Sequence, residues 1–265
     1  SEHIVKVLPS LSVYFMDKPV VPANVPANVS VNDSVDIAVI ADPEFVGTDS
    51  FQLANLSERE QIRSWSQSLV PLPYSAEEAN NLAQIFGENN VLQYTGRKAS
   101  RASLVSSDVR QAKILHIATH GYFKSASHDN VGLALLTITE DGLPDPGYIT
   151  PTELFSYHFA NDLVVISGCD TAMGLEQQGA GLNSLARGFL SQGAKHVIST
   201  LWPVSDRASA KFMALFYQNL QQTRDVALAL QAVQKNFMAD PLYRNPYYWA
   251  GYVLTTVDDN SKLEL

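Results

Sequence analysis

Three short, mostly apolar runs constrain this chain more than any other feature: Lys113 to Ala118, Leu163 to Ser167 and His196 to Leu201. A strand with one wet face alternates apolar and polar residues. Runs such as LVVIS and HVIST do not alternate, so they need cover on both faces. Strands of that kind belong to parallel sheets, whose crossover connections lay helices on each side. The segments between them read as those helices. Tyr74 to Phe86 carries Ala79, Leu82, Ala83 and Phe86 at i, i+3, i+4 and i+7, and Gly87 follows as its stop. Further helices are expected over Lys98 to Val105, Leu182 to Leu190, Ser205 to Leu220 and Arg224 to Met238. Thr150-Pro151-Thr152-Glu153 has the composition of a helix start with a capping box. Other strands are expected at Val35 to Ala41, Val91 to Tyr94, Val131 to Thr139 (closed by the turn Asp141-Gly142) and Tyr248 to Thr256. The alternation predicts an α/β fold, a three-layer αβα sandwich around a mostly parallel sheet. One domain is expected: an N-terminal segment and linker through about residue 34, a core over 35–256 and a polar tail over 257–265. Within the linker, Val21 to Val29 reads VPANVPANV, a Pro-rich tandem suited to an exposed loop.

Two of these strands run straight into reactive side chains. The first leads to His120-Gly121, the second to Cys169, the only cysteine in the chain. Ligands and chemistry in open parallel sheets gather at the carboxyl ends of strands. A thiol and an imidazole placed there make a candidate nucleophile and base. A lone buried cysteine is ordinarily inert packing. Its place after a strand, before a glycine-bearing loop, and its companion His-Gly favour chemistry here. Asp42 ends the first strand and is expected on the same sheet edge, where it faces the same pocket.

Composition narrows the partners. With 46% hydrophobic residues the chain can bury a core, and a net charge of −9 disfavours nucleic acid, whose phosphates need a basic face. No run approaches the roughly 18 apolar residues of a membrane span. A single cysteine and the lack of a basic-then-apolar leader fit a reducing, cytoplasmic setting. Gly179-Ala180-Gly181 lies too far past its strand for a dinucleotide fingerprint, and no Gly-Lys-Ser/Thr follows. His116 shares strand parity with His120, but lacks the further ligands a metal needs, so it is expected to be a hydrogen-bonded core residue. No cofactor and no metal are implied.

The motifs, taken in order, resemble one family: LPSLS, IADPEF, HIATHGYF, DLVVISGCDTAMG, GLNSLARGFLSQGAKHVISTLWPVSD and YYWAGYVL. The chain resembles the CHAT domain, a caspase-like fold of the clan-CD cysteine peptidases, related to separases, metacaspases and caspases. One departure is Gly168-Cys169-Asp170-Thr171, where the family often has Ala-Cys-Glu-Thr. The resemblance implies a cysteine endopeptidase acting on protein or peptide substrates through a dyad of His120 and Cys169. Backbone amides of Gly121 and Cys169 would form the oxyanion hole. An extended substrate would pair beside Ser199 to Trp202. By likeness to separases, Asp206 would sit in the pocket for the residue preceding the cut, with a helix-dipole role as the plainer reading. Together with Asp42, it predicts cleavage after Arg or Lys. Family members commonly carry helical repeats, often tetratricopeptide, before this domain. The chain, which starts at Ser1, is therefore expected to be part of something longer, regulated by such repeats or by another protein. The rival expectation is a catalytically silent signalling or interaction module with the same fold.

Overall fold

The computed structural model describes residues 36–45, 69, 72–123, 131–136, 147–167, 180–258 and 260–264. The Pro-rich tandem, Cys169 with its loop through Gly179, the segment 124–130 and the turn Asp141-Gly142 lie outside the described residues.

Six strands make the main sheet, in the order β2-β1-β3-β7-β8-β9. They are β1 (Ile37–Pro43), β2 (Val91–Gly96), β3 (Ile114–Ala118), β7 (Leu163–Ile166), β8 (His196–Thr200) and β9 (Tyr252–Thr256). Every pairing is parallel except β8 with β9. The apolar runs are buried on both faces for the reason their sequence suggests. Ile37, Val39, Ile114, Leu163, Val165 and Ile198 pack on one side, and Ala38, Ile40, Leu115, Val164, Ile166 and Val197 on the other.

The first face is covered by α1 (Pro73–Phe86), α6 (Asp206–Thr223) and α7 (Val226–Ala239). The second is covered by α2 (Arg101–Leu104), α3 (Ser107–Gln111), α4 (Pro151–Leu154) and α5 (Ala180–Ser191). The capping box at α4 forms in full: Thr150 Oγ1 accepts from Glu153 N–H, and the Glu153 carboxylate accepts from Thr150 N–H. None of the described helices is long and apolar enough to cross a membrane.

Three expectations shift. The helix expected over Lys98 to Val105 forms as the shorter α2, and a second short helix, α3, follows it. Ser100 caps the first through its Oγ, and the chain turns extended at Ser106 before the second begins. The strand expected from Val131 ends at Ala134 as β5, outside the main sheet. It pairs antiparallel with β4 (Gly121–Phe123) and β6 (Tyr148–Ile149) in a separate three-stranded sheet. Gly132 permits that pairing, since a Cβ there would meet the Ile149 carbonyl oxygen at 2.6 Å. The closing strand starts at Tyr252 rather than Tyr248, because Asn245 caps a 3-10 turn over Pro246–Tyr248 and Gly251 lies against the Trp202 ring.

Candidate functional site at the carboxyl edge of the sheet

β3 places two histidines four residues apart in different surroundings. His116 is fully buried between helices α1 and α6. Its Nε2 lies 2.8 Å from Glu78 Oε2 and its Nδ1 lies 2.9 Å from the Tyr217 hydroxyl. A carboxylate only accepts, so Nε2 carries the proton toward Glu78, and a neutral ring then accepts the Tyr217 O–H at Nδ1. Burial and the charge of Glu78 push the Tyr217 hydroxyl well above its ordinary pKa, so it stays a donor. Ser167, one residue past β7, donates its Oγ–H to the same Glu78 oxygen at 2.6 Å. The core reading of His116 therefore holds, and its network extends to the end of the strand that leads to Cys169.

His120 follows β3 at the carboxyl edge and is also buried. The Phe45 ring, just beyond β1, lies 5.8 Å from it centroid to centroid. Its carbonyl accepts from Ala134 N–H, and Thr119 Oγ1 donates to the Ala134 carbonyl, so β5 holds the turn on both sides of it. Gly121 starts β4 and pairs with Leu133. β3 and β7 run parallel with Ile117 opposite Ile166, an offset of 49 residues, and Ser167 N–H continues the pairing onto the Ile117 carbonyl. Cys169 follows His120 by the same 49 residues in the sequence. Cys169 itself lies outside the described residues.

Beside this edge, on the side of α1 and α6, lies a cavity of about 250 Å³. Ala118 and Ser167 bring the ends of β3 and β7 to it, Pro203 to Asp206 bring the segment after β8, and Ser75 and Glu78 bring α1. None of its described lining residues is basic.

Asp206 sits in the first turn of α6 and reaches a second helix, where its Oδ2 accepts the Tyr74 N–H at 3.0 Å. That amide is one of the donors a helix start leaves without an intrahelical partner. Desolvation pushes the Asp206 carboxyl up to about 6, with Glu78, Asp42 and Glu77 adding repulsion and the Tyr74 bond opposing. Asp42 has left-handed backbone at φ 47°, which Asp tolerates better than most residues, and its N–H donates to Ser75 Oγ. Partial burial raises its pKa as well. The structure thus brings Glu78, Asp42 and Glu77 close enough to repel the Asp206 carboxylate.

Ser199 and Trp202 are placed differently. The Ser199 side chain is fully buried and shares the strand face of Val197, so it points away from the cavity. Its hydroxyl has no hydrogen-bond partner among the described residues. Its strand pairs with Val253 of β9, while the last β7 residue paired with β8 is Val165, opposite Ile198. Trp202 packs on Gly251 and donates Nε1–H to the Tyr247 carbonyl.

Glu78, Ser75 and Ser167 went unread in the sequence. The signal was present: Ser75 and Glu78 share the buried helical stripe with Ala79 and Leu82, and a buried carboxylate on an apolar stripe needs a reason.

An open, mostly parallel sheet with helices on both faces and a polar carboxyl edge is the architecture of the caspase-like hydrolase folds. The chain belongs to the CHAT domain family, whose model matches residues 9–256. It is similar to tetratricopeptide repeat protein 28 of Homo sapiens, with 26% identity over 222 residues, 71% of this chain and 8% of that protein. The Mus musculus protein of the same name matches at 27% over 222 residues, 71% of this chain and 9% of that protein. The chain thus spans less than a tenth of the length of these curated relatives. Among solved structures, the Arg specific cysteine proteinase gingipain R has a similar fold, with a TM-score of 0.50 and 9% identity over 87% of this chain and 48% of that one.

Proposed function

We propose that the chain is a cysteine endopeptidase in which His120 and Cys169 form the dyad, cleaving protein substrates after a basic residue. The observation that carries this reading is the register of β3 and β7. Its 49-residue offset equals the sequence separation of His120 and Cys169, which supports a dyad at the carboxyl edge. The fold likeness to a cysteine proteinase and the acidic cavity alongside support it.

The chemistry needs only groups of the chain and a water. His120 takes the proton of the Cys169 thiol, and the thiolate attacks the carbonyl carbon of the scissile peptide. The amides of Gly121 and Cys169 hold the resulting oxyanion. Collapse breaks the C–N bond, the amine leaves with the proton from His120, and a thioester remains. His120 then deprotonates a water that attacks the thioester, releasing the acid and restoring the thiol. In this reading an extended substrate lies beside Ser199 to Trp202 and meets backbone with backbone. Its basic side chain enters between Asp42 and Asp206, each charge-assisted bond contributing about 1.5–3 kcal/mol. Turnover is governed by helical repeats or a regulatory protein outside this chain. The test is covalent labelling with an arginine-ending peptidyl electrophile, read by intact mass. One adduct on Cys169, lost in His120→Ala, is expected. A thiol that stays unmodified under full activation would favour the silent signalling module instead.

A further inference from the structure

The most unusual group at the carboxyl edge is Glu78. It is only 2% exposed, yet both of its hydrogen bonds, from His116 and Ser167, fall on Oε2. Oε1 has no partner among the described residues, and Glu78 lines the cavity. Oε1 is not among the fully buried side-chain atoms that lack a partner, so it is open to the cavity as an acceptor. The cavity has no lysine or arginine among its described lining residues to supply a donor.

We propose that Glu78 is the floor of a guanidinium site, accepting the side chain of the arginine that precedes the scissile bond, with Asp206 closing the wall. This rests on the peptidase reading and adds to it a specificity-determining residue on α1. Two carboxylates on different helices call for a ligand with several donors in a fixed plane. The guanidinium has five, whereas an ammonium is a point charge with three. Ala118, Pro203 and Val204 provide apolar wall for the aliphatic stem. His116 and Ser167 hold Glu78 by one oxygen and leave the other facing the ligand. That division makes the site rigid before anything binds. It also ties the recognition carboxylate to Ser167, two residues before Cys169.

The arrangement suits a clean test. In Glu78→Gln the amide oxygen can keep both bonds now made to Oε2, and the amide NH2 replaces Oε1 in the cavity, so the network survives while the charge is lost. N-butylguanidine, the arginine side chain with its Cα carbon but no amino or carboxyl group, is titrated into the 265-residue chain and followed by amide chemical shifts of Ser75, Ala118 and Ser167. Saturable binding with shifts at these amides is expected, at least tenfold weaker in Glu78→Gln and absent for N-butylurea, its neutral isostere, in the wild type. Equal affinity in a folded Glu78→Gln, or N-butylguanidine binding no better than N-butylurea in the wild type, would overturn the proposal. The wild-type comparison stands even if the variant fails to fold. Peptide hydrolysis measured on the full-length protein separates the two readings. Guanidinium binding by the chain without hydrolysis by the full-length protein would leave the site and remove the peptidase; cleavage after Asp or Leu without N-butylguanidine binding would do the reverse.

Discussion

Two sets of carboxylates among the described residues are treated in opposite ways. Four toward the outer surface meet cations from the chain itself: Asp36 pairs with Lys113, Asp162 with Lys195, Glu153 with Arg101 and Asp240 with Lys211, at 2.6–2.9 Å. At the carboxyl edge, Glu78 and Asp42 both repel the Asp206 carboxylate, and no lysine or arginine lines the cavity among the described residues. The proton equilibria follow the same division. Asp240 is held below the usual carboxylate range by its bond from Lys211, while Asp206 is pushed up to about 6 by desolvation and its acidic neighbours. Each of these four surface carboxylates has a cation of the chain beside it. A half-buried group of like charges is stable only against other parts of the fold, and it acquires a use when a cation arrives.

The sharpest way to break the contrast is at the chemical step the edge is proposed to serve. Cys169→Ala is expected to abolish peptide hydrolysis, and His120→Ala to be nearly as severe, with losses up to about a millionfold because the pair acts as a unit. Thermal unfolding of both variants should stay close to wild type. Retained hydrolysis in Cys169→Ala would place the chemistry elsewhere. Next in size is the anchor beneath the cavity. His116→Leu removes a donor from the buried Glu78 carboxylate and an acceptor from Tyr217. A cost of about 3–5 kcal/mol is expected, the range for breaking a buried pair on one side. Denaturant melts of the two variants at positions 116 and 120 would show whether β3 divides, as its surroundings suggest, into a structural middle and a chemical end.

How much of this was legible beforehand depends on range. The layers and the parallel sheet follow from local pattern, because a strand buried on both faces cannot hide its composition. The expected starts and ends of α1, β3, β7 and α7 lie within two residues of the observed ones. Gly121, by contrast, leads into a second sheet that depends on Gly132 approaching Ile149, a contact between segments far apart in the chain and silent in either alone. The edge was half readable. Strand ends pointed to His120, Cys169 and Asp42. Glu78 belongs to a helix whose amphipathic pattern absorbs it, and only the fold reveals that its stripe faces His116 and Ser167. Asp206 was read with a helix-dipole role as the plain alternative. The structure adds what sequence could not show, the Tyr74 amide of a second helix and two neighbouring carboxylates.

Asp206→Asn sharpens the comparison from the specificity side. Loss of one charge-assisted bond is expected to lower kcat/KM for arginine-ending peptides by roughly 10- to 100-fold while neutral-ending peptides change little. The same variant reads the raised pKa through stability. Because the folded carboxyl holds its proton up to about 6 and the unfolded one releases it near the ordinary 3.8, the wild type loses stability as pH rises between those values. Below that window the contribution is fully present; above pH 6 the folded chain carries the repulsion with Glu78 and Asp42. Melting temperatures measured from pH 4 to 7.5 should therefore fall for wild type relative to Asp206→Asn. Parallel curves would mean that burial and the acidic neighbours do not raise the Asp206 carboxyl.

The smallest effect is expected where the charges already cancel. Lys211 Nζ lies 2.7 Å from Asp240 and 4.3 Å from the centre of the Tyr243 ring, at an exposed corner joining α6 to the end of α7. An exposed pair holds two mobile side chains in one geometry and is screened by salt, so little net stability survives. Lys211→Met keeps an unbranched stem over the ring and removes only the charge. Its melting temperature is expected to drop by at most about 2–4 °C at low salt and to converge with wild type near 1 M salt. Asp240 gives the pH sign: its folded pKa is lowered, so the pair's contribution is present above the ordinary carboxylate range and fades as pH falls through the folded value. That trend runs opposite to the one at Asp206. A large, salt-insensitive loss in Lys211→Met would show that this outer corner is as costly to disturb as the edge, and the division between cancelled and uncancelled carboxylates would not hold.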